Sequence, residues 1–172
     1  VKRAVLEDLD KAYFPTKILV PNCEIVHDRS TIELFRGCAN GCRFCQAGFY
    51  YRPIRERKVD TLVRYATELM DNTGYDELSL SSLSTSDYSQ LKELVARIKE
   101  EADKRKVKLA LPSLRLDSFE AEIYEDMQGA SLTFAPEAGT QRLRNVINKN
   151  ISEEDILTSL TAALKYGVKN VK

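Results

Sequence analysis

The feature that most restricts this chain is an alternation: short strand-like runs are followed, repeatedly, by longer segments whose apolar residues recur at helical spacing. Strands are expected at 31–35, 77–80, 107–111 and 132–135. Helices are expected at 59–71, 87–104, 119–127 and 140–147, with one more from Ser152. The first two long helices carry explicit apolar faces, Leu62, Tyr65, Ala66, Leu69 and Met70 in one and Leu91, Leu94, Val95 and Ile98 in the other. Gly74 and Gly167 stand where helices should stop, Pro112 closes a strand, and Ser152 with Asp155 makes a Ser-x-x-Asp capping pattern. This makes four βα units, and residues 168–172 read as the start of a fifth strand. Such alternation requires parallel strands joined by crossovers, hence an α/β fold that is either an open doubly wound sheet or a barrel. In both architectures the C-terminal ends of the strands carry the site. Residues 36–45, 81–85, 112–113 and 136–139 each follow a strand, so they are expected to converge.

The N-terminal stretch reads differently. Residues 1–14 are charged and helical in flavour up to Pro15, and 17–20 and 24–27 lean toward β structure. The turn-like Asp28-Arg29-Ser30 would join 24–27 to 31–35 as a hairpin, and it would leave Cys23 as a buried strand residue and His27 in a structural role beside the turn. Residues 1–29 are thus expected to form a helix and hairpin extension to a domain over 30–172.

With 26 Lys+Arg against 26 Asp+Glu the formal net charge is zero, so no whole-chain field draws the protein to nucleic acid or to a membrane. There is no signal-peptide pattern and no run of about 18 apolar residues. A cytoplasmic protein without a membrane partner is the expectation. Three of the four cysteines fall between positions 38 and 45, unlike the dispersed framework of a disulfide-stapled secreted domain.

Those three lie in Arg36-Gly37-Cys38-Ala39-Asn40-Gly41-Cys42-Arg43-Phe44-Cys45, a C-x3-C-x2-C loop rich in small residues. Gly37 and Gly41 permit positive φ and close backbone approach, and soft anionic thiolates suit iron–sulfur chemistry. A ferredoxin-type cluster takes four cysteines; three leave one iron without a protein ligand. The same residues leave two other readings open: a structural zinc site completed by Cys23 or His27, and unligated core cysteines.

The loop resembles the signature of the radical S-adenosylmethionine (SAM) superfamily, C-x3-C-x-aromatic-C, with Phe44 as the aromatic residue. The resemblance implies that Cys38, Cys42 and Cys45 hold a 4Fe-4S cluster whose open iron binds SAM. Reductive cleavage would then give a 5′-deoxyadenosyl radical that abstracts hydrogen from a substrate. It also implies a partial (β/α) barrel, an electron donor such as flavodoxin or ferredoxin, and an incomplete set of barrel units, since the chain stops inside the fifth strand. An incomplete sheet would expose an edge through which the chain could dimerise. The stretch from Arg36 through Gln46-Ala47-Gly48 and on to Arg57 looks like an uncharacterised branch often attached behind a cobalamin-binding domain, which makes cobalamin a further candidate cofactor of the whole protein.

The other strand ends extend the resemblance. Leu80-Ser81-Ser82-Leu83-Ser84-Thr85 stands where the family holds the cofactor's amino group, which implicates Ser81, Ser82 and Ser84, although the common Gly-Gly-Glu is absent. Read from the residues alone, these serines equally suit capping of the helix near Asp87. Glu137, in Ala135-Pro136-Glu137-Ala138-Gly139-Thr140, matches a polar residue that reaches the ribose or carboxylate; as a residue it also suits a helix N-terminus. Arg115 is a candidate partner for the methionine carboxylate or a core-stem arginine. The basic run Arg52, Arg55, Arg57 and Lys58 reads first as a solvated loop, and its alternation with Tyr50 and Tyr51 keeps RNA or a ribosomal protein open as substrate. The main competing function is a non-catalytic metal module in which zinc or a cluster stabilises a fold.

Overall fold

In chain order the elements are β1 (Ser30–Glu33), β2 (Phe35–Arg36), α1 (Gln46–Tyr50), β3 (Arg55–Glu56), α2 (Val59–Thr73), β4 (Glu77–Ser81), α3 (Leu91–Arg105), β5 (Lys108–Ala110), β6 (Ser131–Leu132), α4 (Gln141–Val146), α5 (Glu153–Lys165) and β7 (Asn170–Val171). The structure is a computed structural model that describes residues 3–112, 114–118, 121–124, 131–168 and 170–172. It is an α/β fold. A parallel sheet runs β1-β4-β5, with α2 ahead of β4 and α3 between β4 and β5, and β6 pairs in parallel with β7. The antiparallel pair β2–β3 closes the base of the cysteine loop.

Strand period decides what each face does. Ile32 lies opposite Leu80 and Ser30 opposite Leu78, and these face the helices; Thr31 opposite Ser79 and Glu33 opposite Ser81 point the other way. The helix-facing layer is apolar and closed. Ile32, Leu78 and Leu80 are fully buried against Leu62, Tyr65, Ala66 and Leu69 of α2 and Leu94, Val95 and Ile98 of α3. Each such leucine contributes about 1.5–3 kcal/mol by leaving water. The opposite face is polar, which a barrel interior with a ligand allows and a packed sandwich does not.

Helix ends follow local chemistry. Gly74 closes α2 at φ 69°, where a side chain would be strained. Lys106 closes α3 at φ 58° without a glycine, and the Val107 N–H bonds the Ala102 carbonyl at 2.9 Å to secure the turn. Ser152 and Asp155 form the reciprocal capping box, Ser152 Oγ accepting from the Asp155 N–H at 2.9 Å and the Ser152 N–H bonding Asp155 Oδ2 at 2.7 Å.

The N-terminal stretch departs from expectation. Among the described residues, 3–14 form no extended helix, only a 3-10 turn at Leu9–Lys11, and 17–20 and 24–27 make no strands, so the hairpin is absent. The strand expected at 31–35 is split: Ser30–Glu33 pairs with β4, because parallel pairing buries Ile32 between sheet and helix, and Phe35 belongs to β2, paired with β3. Cys23 is consequently exposed. His27 sits in a turn, its Nδ1 3.0 Å from Arg29. The helix expected from Asp87 begins at Leu91, after a 3-10 turn at Thr85–Asp87. Most of the helix expected at 119–127 lies outside the described residues, as does Ser113; Ala121–Tyr124 is a 3-10 turn. No helix among the described residues is long and apolar enough to cross a membrane.

What fastens residues 6–14 to the sheet is Arg57. Expected in a solvated loop, it is 2% exposed, donating Nε to the Glu33 carbonyl at 3.2 Å and Nη1 to the Leu9 carbonyl, with the Phe14 and Tyr65 rings within 5.7 Å of its guanidinium carbon. Asp10 then accepts from the Lys58 N–H at 3.1 Å, at the start of α2. Arg57→Met should cost about 2–3 kcal/mol, since it leaves buried carbonyls unpaired; Arg57→Lys should fall between, an ammonium being unable to span them. The urea midpoint checks both.

Tyr88 donates to the Arg57 carbonyl at 2.7 Å, and burial first, then the charges of Glu56, Asp10 and Glu93, push its phenol up to about 12. The native state therefore holds this proton more tightly than the unfolded chain does. The associated stability is present below about pH 10, the unfolded value, and is lost as pH rises toward about 12. Denaturation midpoints from pH 9 to 11.5 should fall more steeply for the wild-type chain than for Tyr88→Phe.

Candidate functional site

The cysteine loop runs from the end of β2 to the start of α1, over the C-terminal ends of β1 and β4. Cys42 is buried, Cys38 and Cys45 half-buried, and all three are free thiols; Phe44 is 55% exposed. The loop is folded by its glycines. Gly37 takes φ 98° so close to the returning chain that a Cβ would lie 2.9 Å from the Pro53 carbonyl oxygen and 3.0 Å from Tyr51 O, whereas at Gly41, φ 64°, the nearest atoms would be 3.5 Å away.

Two side chains hold it from opposite sides. Arg52 donates to the carbonyls of Cys38 and Ala39, each at 3.3 Å, and Asn148 Nδ2 donates to the Gly41 carbonyl at 2.9 Å and the Asn40 carbonyl at 3.4 Å. The end of α4 adds the Ile147 carbonyl, which accepts from the Arg43 N–H at 2.9 Å, and the Val146 carbonyl, which accepts from the Arg43 side chain. Arg55 likewise donates to the Pro53, Tyr51 and Leu6 carbonyls. The basic run is thus solvated only in part: Arg52 and Lys58 are exposed and Arg55 is half-buried, with the guanidinium groups of Arg52 and Arg55 donating to backbone carbonyls, while Arg57 is buried.

The cysteine loop and the segments after β4 and β5 are brought together, whereas Ser113 lies outside the described residues. Asn40 Nδ2 bonds Asp87 Oδ2 at 2.6 Å, Ser118 Oγ lies 2.9 Å from Ser86 Oγ and 3.3 Å from Asp87 Oδ1, and Ser86 Oγ accepts from the Arg115 N–H at 3.1 Å. Arg115 is buried and committed: Nε and Nη2 grip Asp117 at 2.9 and 2.6 Å, and Nη2 also donates to the Lys149 carbonyl at 3.0 Å. Burial works against its charge, yet the Asp117 hydrogen bonds and the charges of Asp117, Asp87 and Cys42 outweigh it and hold the guanidinium above its ordinary value. Glu137 adopts φ 67° and pairs with the buried Lys149 at 3.4 Å, rather than capping α4, whose N-cap is Thr140.

The serine segment separates into roles. Ser82 Oγ is bonded locally, accepting from the Ser84 N–H at 3.2 Å and lying 3.1 Å from Thr85 Oγ1. Ser81 lines a cavity of about 890 Å³ together with Thr31, Glu33, Phe35, Tyr51 and Leu6. A second cavity, of about 600 Å³, borders Cys38, Arg52 and Ile54. Ser84 Oγ is buried with no hydrogen-bond partner among the described residues, and such an orphaned hydroxyl costs about 1–3 kcal/mol until a partner reaches it.

These residues fit a cluster and a bound cofactor. Three free thiols share one loop, and a cavity of drug-molecule size lies at the adjoining strand ends, where the unpartnered Ser84 hydroxyl follows the cavity-lining Ser81 and Ser82. No group of three or more His, Cys, Asp or Glu side chains converges as a single metal ion requires, among the described residues. Cubane geometry asks for less convergence, because each thiolate binds a different iron. Sequence reasoning missed Asn40 and Asp87, and read Arg52 only as part of the basic run; the signals available were membership of the cysteine loop and of the turn after β4.

A family model described as the Radical SAM superfamily matches residues 32–172. An uncharacterized protein of Methanocaldococcus jannaschii is 33% identical over 175 residues, spanning 96% of this chain and 38% of that protein. Among solved structures, a radical S-adenosylmethionine methyltransferase, TsrM, from Kitasatospora setae, determined with cobalamin and a 4Fe-4S cluster bound, superposes with a TM-score of 0.62 at 14% identity, over 83% of this chain and 30% of that one. The chain thus spans well under half the length of either, and the structural likeness speaks for the fold.

Gly37→Ala should destabilise the chain by about 2–3 kcal/mol, combining a left-handed backbone with a clash, and Gly41→Ala by about 1 kcal/mol, the backbone cost alone. Thermal unfolding of the two variants, without any metal, measures the difference.

Proposed function

We propose, on the premise that this chain belongs to the radical SAM superfamily, that Cys38, Cys42 and Cys45 ligate a 4Fe-4S cluster and that the strand ends beside it bind SAM. The cluster and SAM are the family's cofactors; bound here, the open iron would supply the electron that cleaves SAM to methionine and a 5′-deoxyadenosyl radical. The observation that carries this reading is the loop itself: three free thiols, with Gly37 and Gly41 at positive φ and Arg52 and Asn148 gripping its carbonyls.

The chain's own residues have assignable parts. Thr31, Glu33, Ser81 and Ser82 line the larger cavity and offer polar groups there, while the buried Ser84 hydroxyl lines neither of the two cavities. Phe44, exposed beside Cys45, can cover the cluster. Arg115 does not reach a carboxylate of the cofactor, because its donors are held by Asp117 and the Lys149 carbonyl. The side chain of Glu137 reaches a ribose only by leaving Lys149.

A low-potential one-electron donor of the flavodoxin or ferredoxin kind would serve the cluster. Cobalamin, which the Kitasatospora enzyme holds, is a candidate for parts of the protein beyond these residues. The substrate is hydrogen-bearing and of undetermined class.

Anaerobic reconstitution of the chain with iron and sulfide, and electron paramagnetic resonance of the reduced sample with and without SAM, tests the reading. A 4Fe-4S signal that shifts on adding SAM and is lost in Cys42→Ala is expected. A preparation that binds zinc stoichiometrically and forms no cluster would replace this reading with a structural metal site.

A further inference from the structure

Asn40 is placed where a residue of the loop's interior need not be. Its Nδ2 lies 3.4 Å from Cys38 Sγ and 2.6 Å from Asp87 Oδ2, so each amide hydrogen has its own acceptor. Its carbonyl accepts from Asn148, and Asp87 Oδ1 lies 3.3 Å from Ser118 Oγ, so the amide is fixed through both main chain and side chain. Neither contact is required to close the loop, which Arg52, Asn148 and the Ile147 carbonyl already hold.

We propose that Asn40 is a positioning residue that raises the reduction potential of the cluster by an N–H···S hydrogen bond to the Cys38 thiolate, with Asp87 fixing the amide in the donating orientation. This rests on the cluster reading above. One-electron reduction adds negative charge that spreads onto the ligating sulfurs, and a hydrogen bond to sulfur is stronger in the more negative state; hydrogen bonds of this kind are among the terms that set iron–sulfur potentials. Asp87 does not act as a donor to the cluster. Its carboxylate takes one amide hydrogen and thereby directs the other at Cys38, which couples the cluster loop to the turn after β4.

The test is a dithionite-poised redox titration, followed by electron paramagnetic resonance, of the reconstituted chain and its Asn40→Ala and Asn40→Asp variants, with iron and sulfide content measured in each. Both variants should keep the wild-type cluster content, since the three thiols are untouched. At the wild-type midpoint their ratio of reduced to oxidised cluster should fall by about tenfold, equal to about 59 mV for a one-electron couple. Full cluster content with unchanged potential overturns the inference. A variant that loses its cluster assigns Asn40 to loop folding, which also overturns it unless a second measurement on the wild-type chain stands against that. That measurement is pulsed electron paramagnetic resonance of the reduced cluster with asparagine side chains labelled with nitrogen-15. A nitrogen-15 coupling that disappears in Asp87→Ala and survives in Asp87→Asn, which keeps an acceptor oxygen, supports the proposal; no coupling in the wild type ends it. A wild-type chain that binds no cluster fails the functional reading first and the inference with it, which the iron analysis shows directly.

Discussion

The buried guanidinium of Arg57 joins parts of the molecule that share no sheet. It sits where the chain returns from the cysteine loop, lies against the mutually stacked rings of Phe14 and Tyr65, and donates to carbonyls of Leu9 and of Glu33 at the end of β1. Its own carbonyl takes the hydroxyl of Tyr88, and its N–H bonds the Leu34 carbonyl. A charge in this position is tolerated because its partners are distributed around a planar fork, an arrangement that an ammonium could not reproduce. The position of the cysteine loop above β1 depends on this return point, as does the docking of residues 6–14 beside the 890 Å³ cavity.

The sheet divides the molecule chemically. On the helix side, leucines, isoleucine and alanine close a dry layer whose energy is mostly area removed from water. On the other side Thr31, Glu33 and Ser81 face a cavity, and the loops beyond them are joined by polar contacts: Asn40 to Asp87, Ser118 to Ser86, Arg115 to Asp117 and Lys149, and Lys149 to Glu137. Polar networks of this kind contribute little net stability per bond, but they hold geometry. The apolar layer thus carries the fold, while the polar layer sets the positions of the loops at the strand ends. Arg115 illustrates the difference between reach and role: it lies at the site, yet its donors are spent on Asp117 and Lys149.

Much of this was legible in the sequence where local physics decides. The face Leu62, Tyr65, Ala66, Leu69 and Met70, the glycine stop at 74 and the Ser152–Asp155 box are short-range signals, and each stands in the structure as read. The cysteine loop was legible for a different reason, since three thiols within eight positions have few uses and its glycines permit a tight path around a ligand. Residues 17–20 and 24–27 carry β propensity without a partner to pair with, and propensity alone does not make a strand.

The sequence by itself determined the α/β class, the succession of β1, α2, β4, α3, β5, β6, α4 and α5, and the identity of the thiols, because periodicity, capping and ligand spacing are properties of neighbouring residues. Tertiary structure decided what the charged side chains do. A run such as Arg52, Arg55 and Arg57 looks solvated when read along the chain, and only the folded backbone supplies the carbonyls at Leu6, Leu9, Glu33, Cys38 and Ala39 that bind it. Asn40 is the same case in miniature: nothing in the loop's own residues shows that Asp87, 47 positions away, orients its amide toward Cys38. A long polar side chain takes its partner from whatever the fold brings within about 3 Å, and that distance is set by strands and turns remote in sequence.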